Sequence, residues 1–359
     1  MLTEIQKRIV ETNEKKVYVD SAAAAGKTAV LTERIRYLLE IGVQPDRIVA
    51  ITFTNNAASV MYERLGRPSG LFIGTVHSYC NYLLRCAGID TSHLLNEEKF
   101  DELFPLIEQH PECIKKVDAL LLDEAQDSTE AQFRFFELIN PFSYMYLFDL
   151  RQGIYQFAGA DPDYLINKMH SDPEIVVYKM KQNHRNYPDI LHFAKRFLYR
   201  LGPSYEDDSV PMRKNSDRAL PTVIEGDMTP SEAVSVLLRM KEKRDTTWGD
   251  WFVLCRTNAD VELFKKLLTD KGVPVDSFKQ AELTNSEIEE RLKQNSVKVL
   301  TAHSAKGLES NCVLVFNVRA YKDEEARLCY VAATRARDLL IWARMPKKKK
   351  SGKGIVNWE

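Results

Sequence analysis

Four short motifs in a fixed order constrain this chain more than any other feature: SAAAAGKT at 21–28, LLLDEAQD at 120–127, RQGIYQFAGA at 151–160 and YVAATRAR at 330–337. The first has the form of a loop that wraps phosphates, and the second that of a strand ending in carboxylates. The last holds arginines near the far end of the chain, where they serve a phosphate loop only if two folded units close on one ligand. A chain of 359 residues with 44% apolar content has enough material for two ordinary cores.

Short apolar runs at 17–20, 48–53, 71–75, 119–123 and 144–148 read as buried strands of a parallel sheet. After the first run, Leu31, Ile35, Leu38 and Leu39 share one helical face and Gly42 ends the helix. A second set of strands is expected at 175–178, 251–255, 297–301, 313–316 and 339–343. The fold class is therefore α/β, with two successive units, 1–175 and 176–345, and a basic tail at 346–359. The stretch 201–218, rich in Pro, Ser and Asp, reads as a long surface loop, and the KKKK run at 347–350 as a solvated charge cluster.

Fifty basic residues against 51 acidic ones mean that any contact with nucleic acid must come from a local patch. The six cysteines show no CxxC or Cys/His ligand spacing, so free thiols and a reducing compartment are expected, without structural zinc or iron–sulfur. The start, MLTEIQKRIVETNEKK, has neither a signal-peptide core nor a membrane span, and a soluble cytoplasmic protein is expected.

In GxxxxGK[ST], backbone N–H groups surround the phosphates, the lysine neutralises the outer ones and the hydroxyl ligates magnesium. Gly26, Lys27 and Thr28 are intact, whereas Ser21 replaces the first glycine and Ala22, Ala23, Ala24 and Ala25 fill the loop. An alanine at left-handed angles costs about 1 kcal/mol, which predicts a tighter loop than a glycine-rich one. The bland alternative is an Ala-rich helix start with a chance GKT; the strand before it and the helix after it favour phosphate.

The run 119–122 delivers Asp123 and Glu124 to the C-terminal end of a strand, where α/β sheets bind ligands. Asp123 is the metal candidate, and Glu124 the residue that orients or deprotonates water. Without the phosphate loop upstream, the pair reads as a helix cap. Arg185 and Arg335 are solvated charges if taken singly. Supplied across a cleft, each becomes a candidate finger worth about 10³ to 10⁵ in rate.

The order and wording of these motifs resemble superfamily 1A DNA helicases of the UvrD/Rep/PcrA type, over 2–342. The resemblance implies two tandem RecA-like P-loop NTPase domains with ATP and Mg2+ in the cleft between them. An early glutamine reads adenine in that family, a role that LTEIQ gives to Gln6. ITFTNNAASVMYERL at 51–65 is similar to the TFTNKAA segment, with Asn56 where lysine is usual, and implies strand contacts by Phe53, Thr54 and Asn55. GTVHSYC at 74–80 resembles GTFHS and implies DNA contacts by Thr75 and His77.

RQGIYQFAGA resembles DDQSIYGFRGA: Gln152 would sense the outer phosphate, and Tyr155 and Phe157 lie at nucleobase positions, although aromatics are more often core. Ala158 replaces the family's arginine. QNHRN at 182–186 resembles QNYRS and places His184 where a tyrosine stacks on adenine. FVLCRTNA at 252–259 is similar to another family hallmark, and VLTAHSAKGLES at 299–310 resembles TxHxAKGLEF, which gives Thr301 and His303 to DNA and Glu309 to the ribose. YVAATRAR carries Tyr330, Thr334 and the finger candidate Arg335.

Two inserted domains of the family have no room here, since 86–117 and 279–296 fill their places and fall below about 50 residues. The expectation is a bacterial or phage-encoded motor core, a monomer that translocates on single-stranded DNA or on DNA with a single-stranded overhang, 3′ to 5′ by its IYQF signature. Unwinding would depend on small loops, the tail or a protein partner in place of the insertions. Two other classes stay open. One is a nucleotide-gated module that clamps DNA or a partner with little turnover, to which Ala22, Asn56, Ala158 and His184 point. The other is a P-loop small-molecule kinase, against which the distant arginines and the DNA motifs argue.

Overall fold

The computed structural model describes residues 2–214 and 220–346; the KKKK run and part of the 201–218 loop lie outside the described residues. Strands β1 (Lys16–Ser21), β2 (Ile48–Ile51), β3 (Phe72–Gly74), β4 (Ala119–Leu122), β5 (Ser143–Phe148) and β6 (Val176–Met180) form one parallel sheet in the order β3-β2-β4-β5-β1-β6. After the short pair β7 (Gln182–Asn183) and β8 (Val210–Pro211) come β9 (Val223–Asp227), β10 (Trp251–Cys255), β11 (Val275–Asp276), β12 (Val297–Thr301), β13 (Ser310–Phe316) and β14 (Ala336–Arg344). These six form a second parallel sheet, β11-β12-β10-β13-β14-β9, so the fold is the two RecA-like P-loop units that the motifs implied.

Both sheets are covered on both faces, which explains why their strands read as continuous apolar runs. Side chains alternate between faces: Val17 and Val19 enter one core, Tyr18 the other. In the second sheet Phe252 and Leu254 face one core, and Trp251, Val253 and Cys255 the opposite one. Ala23 of the phosphate loop and Ile154 of the first unit pack into a core of the second unit, so the units share apolar contact as well as polar contact.

One expectation is revised, and two strands were missed. The 175–178 strand does not open the second sheet: β6 pairs with β1, Val17 opposite Val176, and completes the first. Lys16 fixes this edge by bridging Asp172 and Glu174, each at 2.7 Å, just ahead of β6. Sequence pattern identifies a strand but not the sheet edge it joins, so the break between sheets falls after Met180. Edge strand β9 was missed because VIEGD is half-exposed and carries two carboxylates and a glycine. Two-residue β11 was missed as well, being too short to show a pattern.

The 201–214 stretch lies at the surface as expected, with Ser209 alone buried among its described residues, and it is tied down at several points. The Glu206 carbonyl accepts from Arg151 at 3.2 Å, Asp207 accepts from the Tyr330 hydroxyl at 2.9 Å, and Arg213 donates to the carbonyls of Arg185 and Arg337. At the two insertion places lie short helical segments. Ser92–Asn96 and Leu103–Gln109 send Leu94, Leu103, Phe104 and Ile107 into the first core, and Asn285–Lys293 buries Ile288 in the second unit.

Candidate functional site

The phosphate loop leaves β1 and turns into the helix Lys27–Glu40. The Ala22 N–H donates to the Met180 carbonyl at 2.9 Å, so β6 anchors the loop's entry. Ala24 has φ 58° and Gly26 φ 88°, the left-handed alanine and glycine that the pattern requires. Ser21, Ala22, Ala23 and Ala25 are buried. Gln6 sits beneath: its Nε2 donates to the Ala25 carbonyl at 2.9 Å and its Oε1 accepts from the Thr3 N–H at 2.8 Å. Both ends of this side chain brace the loop and its own helix.

At the helix start Lys27 Nζ lies 3.3 Å from Glu124, and Thr28 Oγ1 donates to Asp123 at 3.4 Å. Glu124 has φ 52°, a left-handed non-glycine residue at the strand end, a form of strain that clusters at active sites. Burial and then Glu124 hold the Asp123 carboxyl above its usual range. Burial acts the same way on Glu124, but Lys27 and Lys306 outweigh it and hold that carboxylate down. The Lys27 ammonium is disfavoured by burial, yet Glu124, Asp149 and Asp123 keep it above its ordinary value. The two carboxylates are pushed in opposite directions by their surroundings, beside one lysine.

Across the cleft, Arg335 is fully buried and donates to Gln152 Oε1 at 3.0 Å and to the Val331 and Leu308 carbonyls. Burial and neighbouring Arg185 lower its pKa. Arg185 donates to Glu309 at 2.5 Å and to the Thr334 carbonyl at 3.3 Å, and Arg337 takes the other Glu309 oxygen at 2.8 Å. Glu309 therefore organises two arginines. His184 is exposed beside the loop, its N–H 3.5 Å from the Ala24 carbonyl.

A track of rings crosses between the units. Phe53 stacks on Tyr155 at 5.1 Å between centroids, Tyr155 meets Phe157 edge-on at 6.0 Å, and Phe157 meets His303 at 5.6 Å. Phe157 is 69% exposed, which removes the core reading for it, while Tyr155 is half-buried. Beside the track lie helix starts: Thr54 caps Asn55–Arg64 and Thr75 caps Val76–Cys86. Asn55 is exposed, and His77 Nε2 lies 3.3 Å from Asp101. Thr301 accepts from the Ser304 N–H at 3.2 Å.

Sequence reasoning missed the residues that join the halves. Lys306 reaches the buried carboxylate of Asp127, donates to the Gln152 carbonyl at 2.8 Å and lies over the Tyr155 ring. Arg327 donates to the Gly153 carbonyl at 2.5 Å and to Gln156. Arg151, buried, pairs with Asp149 at 2.5 Å and Asp20 at 2.6 Å. Lys306 and Asp127 stood inside quoted motifs, but only the fold shows that the two motifs meet.

Comparison with known proteins agrees with this geometry. The family model of the UvrD/REP helicase N-terminal domain matches residues 2–110 and 107–173, and that of the UvrD-like helicase C-terminal domain matches 276–345. The chain is 25% identical to a probable DNA helicase II homolog of Mycoplasma capricolum subsp. capricolum, over 76% of this chain and 51% of that protein. It is 24% identical to the ATP-dependent DNA helicase PcrA of Staphylococcus epidermidis, over 75% of this chain and 50% of that one. It is 23% identical to PcrA of Leuconostoc citreum, over 75% and 48%. The chain thus spans about half the length of the curated relatives it matches. With both domain families matched in order on two RecA-like units, the chain belongs to the superfamily 1 helicases of the UvrD/Rep/PcrA type.

Proposed function

We propose that this chain couples ATP hydrolysis to movement along single-stranded DNA, 3′ to 5′, by closing and opening the cleft between its units. The observation that carries the reading is Arg335. It is buried against Gln152 of the other unit, and among the described residues none of its hydrogen-bond partners is a carboxylate. A buried cation without an anion is costly, and the outer phosphate of ATP would supply the missing charge.

In this reading the phosphate-loop N–H groups and Lys27 hold the phosphates, Arg185 and Arg335 stabilise the transferring one, and Glu124 orients water. Thr28 and Asp123 present hard oxygen donors side by side, which fits Mg2+. When bound, that ion would neutralise charge on the phosphate oxygens. Gln6 and His184 would flank adenine, and Glu309 would approach the ribose from its place between the arginines.

The names of the relatives support DNA as the track, and bases would stack on Phe53, Tyr155, Phe157 and His303. Phosphates would lie at the helix starts of Thr54, Asn55 and Thr75, with His77 and Thr301 alongside. Because the rings belong to both units, cleft closure would change their spacing and carry the strand. The unit would act as a monomer, with a protein partner in the place of the inserted domains where duplex is opened.

ATP hydrolysis by the purified chain, with and without single-stranded DNA, tests this, with Lys27→Ala as control. Strong stimulation that the control loses supports the motor and justifies measuring polarity on overhangs. ATP-dependent DNA binding without turnover replaces it with a clamp.

A further inference from the structure

Tyr330 and Arg335 leave the same stretch of the second unit, the helix Asp323–Thr334 and the residue that ends it, and both reach Asp149 of the first unit by separate routes. Along one route Arg335 donates to Gln152 at 3.0 Å, and Gln152 donates to Asp149 at 2.6 Å. Along the other the Tyr330 hydroxyl donates to Asp207 at 2.9 Å, the neighbouring Glu206 carbonyl accepts from Arg151 at 3.2 Å, and Arg151 pairs with Asp149 at 2.5 Å. The two routes close a ring. We infer that Asp207 is a positioning residue for the arginine finger, the link that holds this helix in register with Gln152. The inference rests on the hydrolysis reading above and extends it to a residue outside every motif used there.

Three observations carry it. The side chain of Asp207 is 1% exposed, and a carboxylate so deep is kept only where its oxygens are bonded. Its Oδ2 takes the Tyr330 hydroxyl, while its Oδ1 takes the Ser209 N–H at 2.9 Å and lies 3.9 Å from Lys195 Nζ. The segment also touches the helix one turn earlier on the same face, where the Arg327 guanidinium lies over the Tyr205 ring at 5.3 Å. Its far end is tied to the edge of the first sheet: the Val210 N–H donates to the Lys181 carbonyl at 2.7 Å, and Lys181 Nζ pairs with Asp208 at 2.7 Å. Residues 205–210 therefore run as a brace from the end of β6 to the finger helix.

The packing tells what the brace adds. Leu328, Val331 and Ala332 anchor the helix in an apolar core of the second unit, so its fold does not depend on Asp207. Its register against the first unit does. A displacement of about 1 Å at a group that acts on the reacting atoms can cost about 10²-fold in rate. The loss falls on turnover rather than on nucleotide affinity, because the phosphate loop and Lys27 lie on the other side of the cleft.

Steady-state ATP hydrolysis by the full chain on oligothymidylate, with thermal melts of the same samples, tests the link. Asp207→Ala should lower kcat about 10²-fold and move the KM for ATP little. Tyr330→Phe, which removes one oxygen, should lose a comparable factor, and the double variant no more than either. Asp207→Asn should restore most of the rate, with its amide oxygen on the Ser209 N–H and its NH2 on the Tyr330 oxygen. If Asp207→Ala and Tyr330→Phe melt lower yet turn over as the wild type does, the ring is scaffold and the inference is overturned, while a loss in Arg335→Ala leaves the finger reading standing. If the wild type hydrolyses no ATP, both fall together.

Discussion

Gln152 is held between two charges of different units: its Oε1 accepts from Arg335 at 3.0 Å while its Nε2 donates to the buried Asp149 at 2.6 Å. A glutamine so gripped reports the position of the arginine to the strand end it springs from. Replacing Arg335 by Ala should lower DNA-stimulated kcat by about 10³-fold or more and move the KM for ATP far less. Gln152→Ala added to it should cost little further, since neighbours in one network are not additive. Steady-state kinetics of the two single variants and the double variant check this, and normal hydrolysis by Arg335→Ala would remove the finger assignment.

The phosphate loop holds an alanine at φ 58° where glycine is easier. Ala24→Gly should release up to about 1 kcal/mol of backbone strain, set against added unfolded-state entropy, and leave thermal stability equal or slightly raised. Gly26→Ala should act in the opposite direction, because its φ is 88° and a Cβ there would stand 2.9 Å from Gln6 Nε2. Thermal melts with and without ATP separate the two: the first variant should keep the nucleotide-induced shift and the second should lose it.

Much of this was legible in the sequence for a physical reason. A parallel strand buried on both faces leaves an apolar run, and ligand groups follow at its C-terminal end, as Lys27, Asp123 and Gln152 do. What stayed hidden depends on distance in sequence. Nothing in AKGLE says that Lys306 meets Asp127, 179 residues away, or that Glu309 divides itself between Arg185 and Arg337. The half-exposed β9 and the sheet membership of β6 were equally beyond pattern, since edge strands carry polar residues and pairing partners are not written locally.

Arg151 stands where the resembling motif has an acid, and its guanidinium joins Asp149 to Asp20 at the base of the phosphate loop. Burial disfavours its charge, but the two carboxylates outweigh that and hold its pKa well above the ordinary value. Arg151→Met would leave two carboxylates without their cation, at a cost of about 3–5 kcal/mol. Urea denaturation should show this loss, and Arg151→Met with Asp20→Asn should recover part of it, because one of the stranded charges is then gone.

Asp127 offers a pH signature of the contact between units. Burial raises its carboxyl from an ordinary 3.8 to about 6, against the opposing pull of Lys306. The folded protein therefore binds this proton more tightly than the unfolded chain, so the contribution is fully present below pH 4 and is lost as pH rises through 6. The size follows from the shift and is about 3 kcal/mol. The difference in unfolding free energy between the wild type and Asp127→Asn, measured by urea titration in steps from pH 4 to 8, should fall across that window and level off above it. Lys306→Met removes the ammonium that restrains the shift, so its own decline should extend to higher pH. A flat difference between pH 4 and 6 would mean that Asp127 stays ionised throughout, and that Lys306 holds it as a full ion pair across the cleft.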